Sequence, residues 1–115
     1  MLNVNNAIDS APVFAALGDA TRLELISRLS DGKPHSIVQL ADGLDLTRQG
    51  VTKHLHVLKQ AGMVSCERIG RESRFTIRPD PIAKARDHLT RASAQWDEAI
   101  KRLRVSVEPE TGQGK

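Results

Sequence analysis

The pattern of hydrophobic and polar positions divides the first third of the chain into short helices. Apolar residues recur there at intervals of three and four, which is the spacing of an amphipathic helix. Ser10 is predicted to cap a first helix that tolerates Pro12 in its first turn and ends at Gly18. Asp19 is predicted to cap a second helix, and the polar break at residues 30–34 ends it. The apolar positions of these two helices are Val13, Phe14, Leu17, Leu23, Leu25, Ile26 and Leu29.

Two further helices follow, and a tight connection joins them. Ser36, with Gln39 three residues later, matches a capping box, and the short helix it begins is predicted to end at Gly43. The next helix is predicted at Thr47–Ala61, with a threonine N-cap and with Gly62 suited to the left-handed residue after its end. Two helices joined by so short a turn indicate a helix-turn-helix, in which the second helix reads DNA.

The predicted reading helix, Thr47–Ala61, has one apolar side and one polar side. Val51, Leu55 and Leu58 fall on a single stripe, while the opposite side carries hydrogen-bonding and basic residues and no acid. Such a surface suits a DNA major groove. An ordinary solvated helix face explains this helix equally well when it is considered alone, so its flanks must decide. The candidate DNA-contacting residues are Thr47, Arg48, Gln49, Thr52, Lys53 and His56.

After Gly62 the pattern changes to two short, partly alternating runs of β-forming residues. Residues 63–69 and 73–78 are predicted to pair as a β-hairpin through the turn at residues 70–72. A basic hairpin directly after a reading helix is typical of a wing that contacts phosphate or the minor groove. The alternative is an edge whose charges merely prevent aggregation. The candidate DNA-contacting residues of the wing are Arg68, Arg71 and Arg74.

A long last helix is predicted from Asp80 as N-cap and Pro81 at the first helical position. Its apolar residues alternate at spacings of three and four over about three heptads, as in a helix–helix seam. The seam is longer than so small a domain can cover, so we expect part of it to pair with a second copy; packing within one chain is the alternative. The seam residues are Ile82, Ala85, Leu89, Ala92, Trp96, Ala99 and Leu103. The predicted dimer interface is Val13, Phe14, Leu17, Leu89, Ala92, Trp96, Ala99 and Leu103.

Length and charge make this a small basic domain. The 115 residues predict one winged helix-turn-helix domain at residues 10–104, mainly α with a small β-hairpin, and a disordered tail at residues 105–115. With two Phe, one Trp and no Tyr, aliphatic side chains must form most of the core. Residues 47–78 carry seven Lys and Arg against two acids, whereas residues 1–46 have a net charge of −3. Basic charge concentrated in one segment indicates a polyanionic partner.

Other classes of protein fit the sequence poorly. A single cysteine forms no internal disulfide, and neither a membrane-spanning run nor a secretory signal is evident, so we expect a cytoplasmic, nucleoid-associated protein. The histidines are His35, His54, His56 and His88, and no nucleophile–base pair or phosphate loop accompanies them. We therefore expect no enzyme. A winged helix used only for docking to proteins would leave the acid-free helix and the basic wing without a purpose.

The order of elements and several motifs resemble the ArsR-type winged-helix transcriptional regulators of bacteria. The resemblance implies a homodimer paired through its first and last helices. It also implies binding to an inverted-repeat operator in double-stranded DNA, usually as an (auto)repressor that an inducer releases. The family's groove-contacting positions fall on Arg48, Gln49, Thr52 and Lys53; His54 also fits the family pattern, but it lies near the apolar stripe and is interpreted as structural. The matching segments are Ala16–Leu23, Gln39–Ala41, Thr47–Val64 and Arg68–Arg71.

The chain departs from the metal-sensing members of that family. Their thiolate sensors carry two cysteines on the third helix, at positions occupied here by Ser36 and Val38. Their zinc sensors pair ligands on the last helix, whereas here Asp87 and His88 are adjacent and no histidine follows. A lone cysteine such as Cys66 is more often a small strand hydrophobe than a sensor. We therefore expect no metal and no other cofactor, with a metal- or thiol-responsive sensor as the alternative.

Overall fold

The computed structural model describes the backbone of residues 4–113 and the side chains of residues 10–106. Its element order confirms the predicted winged helix-turn-helix, mainly α with a small sheet, and adds one short strand to it. In chain order the elements are α1 (Val4–Leu17), α2 (Ala20–Leu29), β1 (His35–Ser36), α3 (Ile37–Ala41), α4 (Arg48–Gln60), β2 (Val64–Ile69), β3 (Glu72–Ile77) and α5 (Pro79–Gln113).

The helix-turn-helix consists of α3, α4 and the turn between them. The predicted capping box is present, because the Ser36 hydroxyl accepts from the Gln39 N–H while the Gln39 side chain accepts from the Ser36 N–H. Helix α3 ends at Ala41, two residues before the predicted end, and Gly43 takes the left-handed conformation (φ 78°) that reverses the chain. From α2, the Arg28 guanidinium donates to the carbonyl of Leu40 at 3.0 Å, which fixes the turn to the rest of the domain.

The wing is a three-stranded antiparallel sheet in the order β1-β3-β2. Its hairpin pairs Val64 with Ile77 at the base and Ile69 with Glu72 at the tip, as predicted within a residue or two. Strand β1, which pairs His35 with Phe75, was not predicted from the sequence. Two residues of strand are too short to produce an alternating pattern in the sequence, and the pairing arises only from the tertiary contact.

The core lies where α1, α2, α3 and the base of the sheet meet the apolar side of α4. The stripe predicted on α4 is fully buried: Val51, Leu55 and Leu58 have no exposed surface. Every side chain in this core is aliphatic or small except Phe75, as the composition required. The other buried apolar residues of this cluster are Val13, Ala16, Leu25, Leu29, Leu40, Met63, Val64, Phe75 and Ala85.

The first and last helices pack against each other, and both begin earlier than predicted. Ser10 does not cap α1, because the helix begins at Val4 and Ser10 lies buried inside it. Helix α5 begins at Pro79, so Asp80 lies in its first turn and is not the N-cap that was predicted. Pro79 and not Pro81 takes the first helical position, where a missing N–H costs nothing. Of the tail predicted at residues 105–115, the side chains beyond residue 106 lie outside the described residues, and its disorder stays a prediction. No helix within residues 4–113 is long and apolar enough to cross a membrane.

Candidate nucleic-acid interface

A groove runs between the N-terminal half of α4, the start of α3 and the tip of the wing. Its volume is about 700 Å³. It brings together four of the six residues predicted on the reading helix and one of the three predicted on the wing. The residues that line it are Ser36, Ile37, Val38, Arg48, Gln49, Thr52, Lys53, Arg71, Glu72 and Ser73. Residues from three separate segments of the sequence thus form one concave surface.

Hydrogen bonds within α4 decide which of its polar groups can contact a ligand. The Thr47 hydroxyl accepts from the Gly50 N–H at 3.0 Å, so it caps the helix as predicted. The Thr52 hydroxyl donates to the Arg48 carbonyl at 2.7 Å. The side chains of Arg48, Gln49 and Lys53 form no hydrogen bond with any other group within residues 10–106. These three exposed side chains therefore keep their donors and acceptors for a partner.

The groove keeps a positive charge. Within residues 10–106, no carboxylate forms an ion pair with Arg48, Lys53 or Arg71. The one acid that lines the groove, Glu72, instead accepts from Arg74 at 3.1 Å. Three cations and one compensated acid around a concave surface favour an anionic ligand, because clefts of one charge sign concentrate the field.

The wing does not present its three predicted arginines together. Arg68 pairs with Ser73 across the hairpin and Arg74 pairs with Glu67. Since successive residues of a strand point to opposite faces, Arg68 and Arg74 lie on opposite faces of the sheet. Only Arg71, in the turn, lines the groove. The three residues are therefore not equivalent, and Arg71 is the one placed to act with α4.

Two residues predicted on the reading helix lie outside the groove, and several groove residues were missed. Thr47 caps α4, and His56 is exposed further along the helix. Among the missed residues is Val38, which is 53 % exposed although it is apolar. The available signal was its place two residues after the Ser36 cap, at the start of the first helix of the helix-turn-helix, which crosses the DNA backbone in such motifs. Ser36, Ile37, Glu72 and Ser73 were also missed as groove residues.

The residues predicted at a dimer interface fall into two groups. Val13 and Ala92 are buried within the single chain, and Phe14, Leu17 and Ala99 are partly buried. In contrast, Leu89, Trp96 and Leu103 are 47 %, 61 % and 65 % exposed on α5. Two residues absent from the prediction, Ile100 and Val105, are also exposed on this helix. The half of α5 beyond Ala92 thus carries large apolar side chains that nothing within residues 10–106 covers.

Two carboxylates outside the groove are held in their charged form. The backbone N–H of Arg22 lowers the pKa of the Asp19 carboxyl, which caps α2. The backbone N–H of Lys33, together with the His35 side chain, lowers the pKa of Asp31. Within residues 10–106, no three or more His, Cys, Asp and Glu side chains cluster as a metal site would need. Cys66 is partly buried on β2.

Proteins similar to this chain include transcriptional regulators. A family model described as a helix-turn-helix domain matches residues 17–67. A transcriptional regulator of Mycobacterium tuberculosis, Rv2034, is 36 % identical over 87 residues, which are 76 % of this chain and 78 % of that protein. The uncharacterised regulator YuzN of Bacillus subtilis is 33 % identical over 76 residues and 83 % of its length.

The likeness extends to a solved structure over nearly the whole chain. An ArsR-like transcriptional regulator from Rhodococcus sp. RHA1 superimposes with a TM-score of 0.70 and 32 % identity, covering 90 % of this chain and 96 % of that one. The chain therefore belongs to the ArsR-like family of helix-turn-helix transcriptional regulators.

Proposed function

We propose that this regulator is a homodimeric repressor that binds an inverted-repeat operator in double-stranded DNA. The observation that carries the proposal is the groove between α4 and the wing, in which Arg48, Lys53 and Arg71 meet no compensating carboxylate within residues 10–106. A DNA strand supplies the negative charge that this surface lacks, and a neutral or cationic partner does not.

The two sides of the groove are suited to different parts of DNA. Arg48 and Gln49 lie in the first turn of α4, where side chains reach base edges in the major groove. Arginine pairs with guanine through two hydrogen bonds, and glutamine does so with adenine. Arg71 lies in the wing turn at the opposite wall, and there we assign it to phosphate, with Arg68 and Arg74 as further contacts outside the groove. Lys53 serves either role, because its ammonium is a point charge on a flexible stem.

The dimer is inferred from the exposed apolar side of α5. Leu89, Trp96 and Leu103 follow the seam spacing, and each has about half or more of its surface exposed. Exposing side chains of this size to water is unfavourable, and a second copy related by a two-fold axis covers both seams at once. Two copies of α4 related in this way read two half-sites about one DNA turn apart, on the order of 34–36 Å.

Repression without a metal completes the proposal. In the first turn of α3 and at its cap, Val38 and Ser36 occupy the positions where thiolate sensors of the family have cysteines, and neither side chain binds a soft metal. We therefore place the chain among the members that do not sense metals. Excess zinc or arsenite is expected to leave the protein on its DNA, and a release that a chelator reverses would contradict this assignment.

The experiment that tests the function is a titration on DNA from just upstream of this protein's own gene, since such repressors often regulate themselves. A shuffled duplex of the same length and composition is the control. We expect protection of two half-sites by one dimer, with an affinity at least ~10³ times that for the control at the same salt concentration. Equal binding to both duplexes at all salt concentrations would contradict sequence-specific repression at this site.

A further inference from the structure

One histidine of α4 contacts the rest of the domain through a hydrogen bond. His54 lies beside the buried stripe and faces the corner between α1 and α2. Its Nδ1 is 3.2 Å from a guanidinium nitrogen of Arg22 and 3.8 Å from a carboxylate oxygen of Asp19. A guanidinium only donates hydrogen bonds, so a hydrogen bond at this contact requires Nδ1 to accept and the ring proton to lie on Nε2. His54 is more than a space-filling residue next to the stripe.

The same guanidinium joins three helices. Arg22 lies on α2, its Nε donates to the carbonyl of Ala16 in the last turn of α1, and its other nitrogen reaches His54 on α4. The carbonyls of a last helical turn have no partner within the helix, so this contact also caps α1. Asp19 accepts from the Arg22 N–H at 3.1 Å, which fixes the backbone from which the arginine extends. The position of His54 therefore depends on the end of α1.

A directed bond adds to α4 something that its apolar contacts do not supply. Val51, Leu55 and Leu58 bury the stripe completely, but apolar contact is non-directional and tolerates small rotations of a helix about its axis. Base readout does not tolerate them, because a pair of hydrogen bonds to one base needs both distances correct. Of the polar side chains of α4 within residues 48–60, only that of His54 forms a side-chain hydrogen bond to another helix.

We propose that His54 is a positioning residue for DNA readout: its bond to Arg22 sets the rotation of α4 from the end of α1. The proposal rests on the proposed function, in which α4 reads bases. Because α1 packs on α5, the bond also connects the pair of helices assigned to dimerisation with the reading surface. A change in the packing of α1 on α5 would thereby alter the positions of Arg48 and Gln49 without any ligand at the DNA-binding surface.

Variants of His54 separate positioning from packing. His54→Leu introduces an apolar side chain of similar size and removes the acceptor, whereas His54→Asn places an amide oxygen where Nδ1 lies. We expect His54→Leu to lower the ratio of operator to random-duplex affinity about tenfold, near the lower end of the range for a lost hydrogen bond to a charged group. His54→Asn should restore most of the ratio. Arg22→Met should lower the ratio similarly, and combining it with His54→Leu should add little.

Three measurements decide the outcome: the ratio of operator to random-duplex affinity, thermal unfolding and the nitrogen chemical shifts of His54. Thermal unfolding of each variant checks that lost discrimination is not lost folding, and the nitrogen chemical shifts of His54 should report a ring protonated on Nε2. Equal discrimination by wild type and His54→Leu, or failure of His54→Asn to restore it, would overturn this inference alone. So would a ring protonated on Nδ1. A wild type that prefers no duplex would overturn the proposed function, and this inference with it.

Discussion

Helices α4 and α5 are both amphipathic, but their apolar sides differ in how far they are buried within the domain. On α4 the whole stripe is buried, and the exposed side is polar and basic apart from Val57, which is 37 % exposed. On α5 the seam is covered only in part: Ala85 and Ala92 are buried, while Leu89 and the large apolar residues beyond Ala92 are exposed. The domain thus covers the apolar stripe of α4 fully and leaves its polar groups exposed. It covers the apolar side of α5 only in part and leaves large apolar side chains exposed.

The difference shows that one small domain carries two surfaces of opposite chemistry. Burying uncompensated cations and amides is favourable only against a polar, anionic partner. Burying a row of exposed apolar side chains is favourable only against another apolar surface. The two surfaces also differ in what a mutation removes. A truncation on α5 removes buried area from an assembly, whereas one on α4 removes directed hydrogen bonds.

The largest effect is expected on α5, at its most exposed aromatic residue. Trp96→Ala should weaken the proposed dimer by roughly 3–5 kcal/mol, because the proposed interface buries this large side chain. Sedimentation at several concentrations measures the change, and Gln95→Ala, at the neighbouring exposed position, is the matched control. Wild-type protein that sediments as a monomer at micromolar concentration would contradict the role of α5.

The next effect is expected on the buried side of α4. Leu55→Ala should lower the free energy of unfolding by about 2–5 kcal/mol, since Leu55 is fully buried and its removal leaves a cavity. Leu46→Ala makes the same change at a residue that is 42 % exposed, and it should cost far less. Denaturant unfolding measures both. Equal losses at the two positions would show that α4 is not anchored by its stripe.

A smaller effect is expected on the exposed side of the same helix. Gln49→Ala should cost about 1–3 kcal/mol on the operator and less on a random duplex, because a base contact is lost. Gln60→Ala, at the other end of α4 and outside the groove, should leave both affinities unchanged. Titrations on the two duplexes make the comparison. A loss at Gln60 as large as that at Gln49 would place the readout elsewhere on α4.

The smallest effect concerns the corner from which α4 is positioned. The pKa of Asp19 is lowered in the folded chain, chiefly by the Arg22 N–H, so its stabilising contribution is present above the ordinary pKa and is lost as pH falls through the folded value. Asp19→Asn keeps a capping side chain and removes the charge. The thermal midpoint of the variant should be lower near neutral pH and approach that of the wild type below about pH 4. A difference that stays constant into acid would contradict this linkage.

The sequence predicted those parts of the molecule that depend on local chemistry. Thr47, Ser36 and Asp19 cap their helices as expected, since a cap is decided within four residues. The prediction for Ser10 was wrong for the same reason, because a serine inside a continuing helix cannot be distinguished from an N-cap by its neighbouring residues alone. The groove needed tertiary information. Val38 lines the same groove as α4 and Arg71 only because the tertiary fold brings them together. The opposite orientation of Arg68 and Arg74 follows from the register of the hairpin.

The α5 seam and His54 also show that contacts between distant parts of the chain could not be predicted from the sequence. Periodicity predicted which residues of α5 share a side, but it did not show that Val13 and Ala92 are used within the chain while Trp96 is not. His54 lies beside a buried stripe, and that position alone suggested packing. Its contact with Arg22, 32 residues earlier in the chain, gives it a separate role in our proposal.

The most direct test of the account is the salt dependence of DNA binding by Arg71→Ala and Gln49→Ala. Replacing Arg71 should weaken the operator and a random duplex alike and reduce the slope of log affinity against log salt by about one unit per lost phosphate contact, so about two in a dimer. Gln49→Ala should leave the slope unchanged, as should Arg86→Ala, which removes an exposed charge outside the groove. If Arg71→Ala abolishes sequence preference while Gln49→Ala leaves it intact, the wing reads the sequence and the assignment of α4 is wrong.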